Sequence, residues 1–392
     1  MDICGVVPLD ADSLLNSAKQ STGLSDFGAD DWYEPFKVLI HALEDEAALN
    51  LMGRLKARSD LLLYLEARLQ IEDTYKRHPE IDDEQITKPL IVVGQGRSGT
   101  SFLLNVLSAD PGNGAITHWE YMFPCPPPEK ATYHSDPRIA KADKLIKQWN
   151  RITPNMTELH EYAATVPAEC AQMLAITFNS AMWFAFFAQV PSYIAFVSKL
   201  DVDTNLRYHQ RVLKLLQWKN PRSHWVLKSV PHLDVMPELL KVYPDACFIW
   251  PHRDPVRALA SAIDTAGTAQ WAHSDFPLKD ASFDVVLDPR TTAARLELAI
   301  DRLEKGVVPK AQMFSILYRD LVNDTMGTIE KIYRFHDITF TDAGRHGIAT
   351  YLRENPRESR PAHKVQKGSE DMIARDRKTF KRYMDYFGVA EE

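Results

Sequence analysis

Cysteine is scarce: four in 392 residues, Cys4, Cys125, Cys170 and Cys247, with no Cys-x-x-Cys spacing among them. That excludes a disulfide scaffold and a thiolate metal site, so no metal is expected, and it fits reduced thiols in a cytoplasm. Positive charge is not in surplus either. With a formal net charge of −7 and no dense Lys/Arg cluster, the chain offers no nucleic-acid or polyanion surface. The N-terminus has no basic stretch leading into an apolar one, so no export signal is read, and the expected location is cytoplasmic. No internal repeat or low-complexity tract stands out. What remains, 45% hydrophobic content over this length, suffices for a large core.

An uninterrupted apolar span is also missing. Cys170 to Ser198 carries no charge and contains Met182-Trp183-Phe184-Ala185-Phe186-Phe187-Ala188, but Gln172, Thr177, Asn179, Ser180, Gln189, Pro191 and Ser192 interrupt it. No matched pair of charge clusters flanks it, so no transmembrane segment is expected. A buried core helix accounts for its aromatic residues as well as an apolar pocket for a lipophilic alcohol or phenol does.

The stretch richest in chemical information is Pro89-Leu90-Ile91-Val92-Val93, followed by Gly94-Gln95-Gly96-Arg97-Ser98-Gly99-Thr100-Ser101 and an amphipathic segment from Phe102. This order predicts a buried strand, a tight turn and a helix N-terminus, whose backbone N–H groups and dipole favour a phosphate or sulfate. Gly94 to Ser101 has the spacing of a nucleotide-binding P-loop, with Thr100 where its phosphate-gripping lysine should stand. The positive charge has moved inside the loop, to Arg97. A P-loop kinase or NTPase needs that lysine and a strand aspartate for magnesium, so this class ranks as the alternative.

A second strand is predicted over Asp245-Ala246-Cys247-Phe248-Ile249-Trp250-Pro251, followed by His252-Arg253-Asp254-Pro255 and a helical pattern from Val256 to Ile263. It delivers Arg253 to a strand's C-terminal end, where ligands bind in open α/β sheets. Ser261, eight residues on, lies two helical turns further and can face the same anion. A guanidinium fork and a hydroxyl suit a phosphate monoester. His252-Arg253-Asp254 also matches the start of a protein-kinase catalytic loop, but Leu259 occupies the position of its asparagine, which excludes that class.

Two anion sites on one sheet suit a nucleotide with a 5′-phosphosulfate and a separate 3′-phosphate. The chain here resembles the superfamily of sulfotransferases that use 3′-phosphoadenosine 5′-phosphosulfate (PAPS), over roughly Lys88 to Gly388, and within it the bacterial branch with an Arg-Ser-Gly-Thr loop. The resemblance rests on Arg97-Ser98-Gly99-Thr100-Ser101, Thr117-His118-Trp119-Glu120, Trp225-Val226-Leu227-Lys228-Ser229, and Arg253 with Ser261. It implies a P-loop-NTPase-like three-layer α/β fold, a central parallel sheet flanked by helices, with helical elaborations at the N-terminus and in mid-chain.

It further implies sulfonate transfer to a small hydroxyl acceptor, with PAPS as donor and Gln95 through Ser101 (Gln95, Gly96, Arg97, Ser98, Gly99, Thr100, Ser101) holding it. Lys228, ending a strand, resembles the lysine that contacts the transferring group beside Arg97. Tyr318, in Phe314-Ser315-Ile316-Leu317-Tyr318-Arg319-Asp320-Leu321, resembles the tyrosine beside the purine. Lys367-Gly368 resembles part of the loop closing over the 3′-phosphate, with Gln366 where arginine is usual. His118 and Glu120 are read near the end of a strand, where period-two geometry puts both on one face. The resemblance favours Glu120 as the general base, with His118 second and His160 and His232 minor candidates.

The domain expectation is a helical extension over 1–87, with two helices between Asp31 and Arg77, and a transferase domain over 88–392 bearing a helical acceptor-side insertion at about 155–220. The extension is also a candidate homodimer surface. A protein that binds the nucleotide bisphosphate without chemistry is the remaining alternative.

Overall fold

The structure is a computed structural model that describes residues 3–154, 162–275, 287–356 and 369–392. The chain divides into two compact units, one of Met1–Gln85, Thr117–Pro221 and Ala266–Ser282, the other of Ile86–Ile116, Arg222–Thr265 and Phe283–Glu392.

The second unit is an α/β layer structure. Among the described residues its strands are β1 (Leu90–Val92), β2 (Asn113–Gly114), β3 (His224–Lys228), β4 (Cys247–His252) and β5 (Met313–Leu317). They form one sheet in the order β2-β3-β1-β4-β5, with every pair parallel. Leu90 is in register with Val226 and Cys247, and Val92 with Lys228 and Ile249. One face therefore presents Leu90, Val92, Val226, Cys247 and Ile249, buried under Leu103, Leu104, Leu107, Ile329, Ile332 and Ile348. Ile91, Leu227 and Phe248 project from the other face and are equally buried. Burial on both faces explains why β1 and β4 read as continuous apolar runs. The chain passes from β1 to β2 and β3 on one side, then crosses to β4 on the other. This reversal opens a crevice beyond the C-terminal end of β1, where open α/β sheets hold ligands.

The first unit is helical among its described residues. Ala11–Thr22, Tyr33–Asp45, Leu51–Arg77, Pro137–Ile152 and Val202–Gln217 are its long helices. Asp10 caps the first through the Ser13 N–H at 2.8 Å, and Gly23, at φ 70°, ends it in the left-handed conformation that glycine tolerates best. Trp32, Phe36, Tyr64, Phe178 and Phe184 pack with ring centroids 4.9–6.4 Å apart. The uncharged stretch from Cys170 breaks into Cys170–Leu174, Ala181–Phe187 and Pro191–Val197. No single described helix is long and apolar enough to cross a membrane, and the apolar pair Cys170–Thr177 and Ala181–Phe187 bends by 100°.

One element differs from expectation. The segment bearing His118 and Glu120 is a five-residue helix, His118–Met122, not a strand end. Thr117 and Glu120 form a capping box: Glu120 Oε2 accepts from the Thr117 backbone N–H at 2.8 Å and from Thr117 Oγ at 2.7 Å. Reciprocal satisfaction of otherwise orphaned N-terminal groups favours the turn over extension. The same-face argument from strand periodicity lapses with it.

Candidate anion-binding site

After Val92 the backbone keeps one more ladder bond, Val93 N–H to the Ile249 carbonyl at 3.0 Å, and then turns at Gly94 with φ 128°. A β-carbon there would lie 2.8 Å from Trp250 Cδ1 on β4, so the turn closes against the neighbouring strand only with glycine. The loop is braced from within and without. Ser98 Oγ donates to the Gln95 carbonyl at 2.7 Å, and Gln95 Nε2 donates to the Pro255 carbonyl at 3.1 Å. Gly99, at φ 99°, then starts the helix Thr100–Ser108. The helix's first-turn N–H groups and dipole thus open at the sheet's C-terminal edge, the arrangement that attracts a phosphate or sulfate.

Arg97 is held in an unusual state. Its φ of 68° lies in the left-handed region, a conformation that costs a non-glycine residue about 1–3 kcal/mol. The neighbours fix it there. The Arg97 carbonyl accepts from Arg253 Nη1 at 3.2 Å, and its own Nε donates to Ser261 Oγ at 2.9 Å. Arg253 and Ser261, placed together by strand end and helical spacing, therefore meet at Arg97. Burial, and then the nearby Arg253 guanidinium, push the Arg97 pKa down. Two like charges held this close are relieved by an anion between them.

Tyr318, first residue of the helix Tyr318–Asn323 after β5, completes the wall. The Arg253 guanidinium stacks 4.4 Å from its ring centroid, and a β-carbon at Gly99 would lie 2.7 Å from its Cδ2. Gly99 thus lets the ring settle on the loop. Lys228 is the buried last residue of β3, in register with Val92 immediately before the loop. Thr100 and Ser101 open the helix, and Gly96 lies in the loop between Gln95 and Arg97.

The sequence reading missed two charged groups. The Glu392 carboxylate accepts from Arg253 Nε at 2.9 and 3.0 Å and from Arg253 Nη2 at 2.7 Å, and Arg257 Nε lies 3.3 Å from the same carboxylate. Burial opposes the Arg253 charge, and this carboxylate outweighs it, raising the pKa. Arg257, one helical turn beyond Arg253, was legible by spacing; Glu392, 139 positions from Arg253, was not.

His118 and Glu120 belong to the first unit. His118 Nδ1 lies 2.9 Å from the Val166 carbonyl, and its ring packs 4.3 Å from that of Tyr162. His232 is a buried residue of the short 3₁₀ turn Val230–Leu233 in the second unit. Lys367, Gly368 and His160 lie outside the described residues.

A parallel sheet whose first strand ends in a glycine-flanked loop, with a guanidinium inside the loop and a second at the end of the adjacent strand, defines a protein of the P-loop-like α/β fold. Within that class the chain belongs to the sulfotransferase family, whose sequence model matches residues 89–342. Curated relatives from Mycobacterium bovis and Mycobacterium tuberculosis, each an omega-hydroxy-beta-dihydromenaquinone-9 sulfotransferase Stf3, are 24% identical over 253 residues. These matches take in 63% of this chain and span 62% of the relatives' length. Among solved structures, sulfotransferase STF1 from Mycobacterium tuberculosis is 30% identical with a TM-score of 0.79, covering 95% of this chain and 98% of that one. Sulfotransferase STF9 from Mycobacterium avium is 25% identical with a TM-score of 0.81, covering 98% of both. The likeness places this chain in the family's bacterial branch.

Proposed function

We propose that the chain transfers a sulfonate group from PAPS to a hydroxyl of a small, lipophilic acceptor by in-line displacement, releasing adenosine 3′,5′-bisphosphate. The observation that carries this reading is Arg97: a cation seated within the loop itself, pinned by Ser261 and Arg253. The donor set suits the ligand, since the same edge gathers first-turn N–H groups for one anion and Arg253 for another, and Arg253 already grips a carboxylate.

In sulfonate transfer negative charge builds on the oxygen bridging to the departing phosphate, and the protein's task is to position and neutralise. In this reading Arg97 and Lys228 take that charge, the loop from Gln95 to Ser101 holds the 5′-phosphosulfate, and Arg253 with Ser261 holds the 3′-phosphate. Tyr318 flanks the purine, with Lys367 and Gly368 assigned to the 3′-phosphate by resemblance alone. Glu120 removes the acceptor's proton, with His118 as the competing base.

A lipophilic acceptor is supported by the name of the curated relatives, omega-hydroxy-beta-dihydromenaquinone-9 sulfotransferase. The test is incubation with PAPS and a panel of sterols, phenols and hydroxylated lipids, followed by mass spectrometry. A sulfated product from a lipophilic member supports the reading. No sulfated product from any member, with the bisphosphate still bound, leaves a nucleotide-binding protein without chemistry.

A further inference from the structure

The Arg253–Glu392 contact is part of a braced arm. The helix Lys381–Phe387 is anchored beside β4, where the Phe387 ring stacks on His252 with centroids 3.7 Å apart and lies 5.0 Å from Trp250. Gly388, at φ 65°, turns the backbone, and the Val389 N–H closes on the Met384 carbonyl at 2.9 Å. The segment that follows is pinned by side chains. The Glu392 backbone N–H donates to Asp254 Oδ2 at 2.9 Å, and Arg377 pairs with Glu391 at 2.7 Å. Asp254 is itself fixed, since its Oδ1 accepts from the Val256 N–H at 2.9 Å. This scaffold aims one carboxylate at the guanidinium fork that the proposed function gives to the nucleotide.

We propose that Glu392 is an internal competitor for an anion subsite made by Arg253 and Arg257, so that a nucleotide's 3′-phosphate binds by displacing it. Arg257 thereby becomes a donor-binding residue beyond those the sequence suggested. The inference rests on the sulfotransferase reading above for the identity of the displacing anion.

Three physical points carry it. The Arg253 Nε and Nη2 donors are both engaged by Glu392, and a planar fork cannot serve a carboxylate and a phosphate at once. The contact is displaceable, because the side chains of Arg253 and Glu392 remain 20% and 35% exposed, so water can solvate the carboxylate as it leaves and a phosphate can reach the fork. A phosphate monoester brings nearly two charges and three acceptor oxygens against one charge and two. Arg257 gains more from that exchange than from its 3.3 Å contact with Glu392.

Calorimetric titration of the full chain and of Glu392→Gln with adenosine 3′,5′-bisphosphate and with adenosine 5′-monophosphate tests this directly. An arm closed about 80% of the time multiplies the apparent affinity by its open fraction of about one fifth, so E392Q should bind the bisphosphate about 5-fold more tightly. The monophosphate, lacking the 3′-phosphate, should change less than about 2-fold. In the E392Q background Arg257→Gln should then weaken the bisphosphate about 5-fold and leave the monophosphate unaffected. Equal bisphosphate affinity in the parent and E392Q overturns the proposal while sparing the donor assignment. An equal gain for both nucleotides overturns it too, since Glu392 would then act on the site at large. Bisphosphate binding to neither protein removes the sulfotransferase reading and this inference with it.

Discussion

Replacing Gly99 by alanine should injure the site through two separable costs. The backbone at Gly99 has φ 99°, where an L side chain is strained by about 1–2 kcal/mol. The new β-carbon would also lie 2.7 Å from Tyr318 Cδ2 and 3.0 Å from Cε2. To reach 3.4 Å the ring edge must retreat roughly 0.7 Å, an overpacking cost of about 1–3 kcal/mol. Together Gly99→Ala should lower unfolding free energy by about 2–5 kcal/mol, read from urea denaturation at unchanged m. Because Arg253 stacks on the same ring, bisphosphate affinity should fall as well. A double-mutant cycle separates the two costs. With Tyr318→Ala already present, Gly99→Ala should cost only the backbone share of about 1–2 kcal/mol. A penalty below about 0.5 kcal/mol in the parent, or an equal penalty in both backgrounds, refutes the packing of Tyr318 on the loop.

Arg97→Ala and Lys228→Ala should each lower turnover by about 100-fold or more while the bisphosphate still binds, because both act on charge that develops late; equal loss of binding and rate in calorimetry and steady-state assays contradicts that role. Glu120→Gln should reduce turnover with little change in nucleotide affinity, and a near-normal rate would transfer the base to His118. The stability of the fold should fall on mild acidification. Burial lowers His273 and His336 from 6.5 to about 4 and holds His252 well below its ordinary value, so between pH 6.5 and about 4 the unfolded chain binds protons that the native one does not. Unfolding free energy should therefore drop as pH falls from 6.5 towards 4, by up to about 1.4 kcal/mol per pH unit for each histidine. Urea midpoints at pH 7 and pH 5 check this, and His336→Asn should flatten the slope.

Strands β1, β3 and β4 were legible because they bury both faces, leaving apolar runs that stop at Gly94, Lys228 and Arg253, and β5 reads as a short apolar run that stops at Tyr318. Arg253 and Ser261 were legible as neighbours, since a strand end and an eight-residue helical offset are local geometry; that both also contact Arg97 was not. Strand β2 was not legible: Asn113 and Gly114 alone make too short a segment to show periodicity. The segment His118–Met122 is a helix and not the strand end expected from the period-two spacing of His118 and Glu120, and Thr117-x-x-Glu120 is the capping-box signature that marks it. Glu392 lay beyond reach in principle. Its partners are set by how the C-terminal helices pack on β4, a tertiary fact with no local trace.

The central claim is that the loop cation serves a sulfonate and not a terminal phosphoryl group. It is tested most directly by presenting the protein with PAPS and a sulfatable lipid alcohol in the presence of a chelator, and in parallel with ATP and magnesium. The account predicts sulfated product and adenosine 3′,5′-bisphosphate in the first vessel and intact ATP in the second. ATP consumption without sulfonate transfer would contradict it.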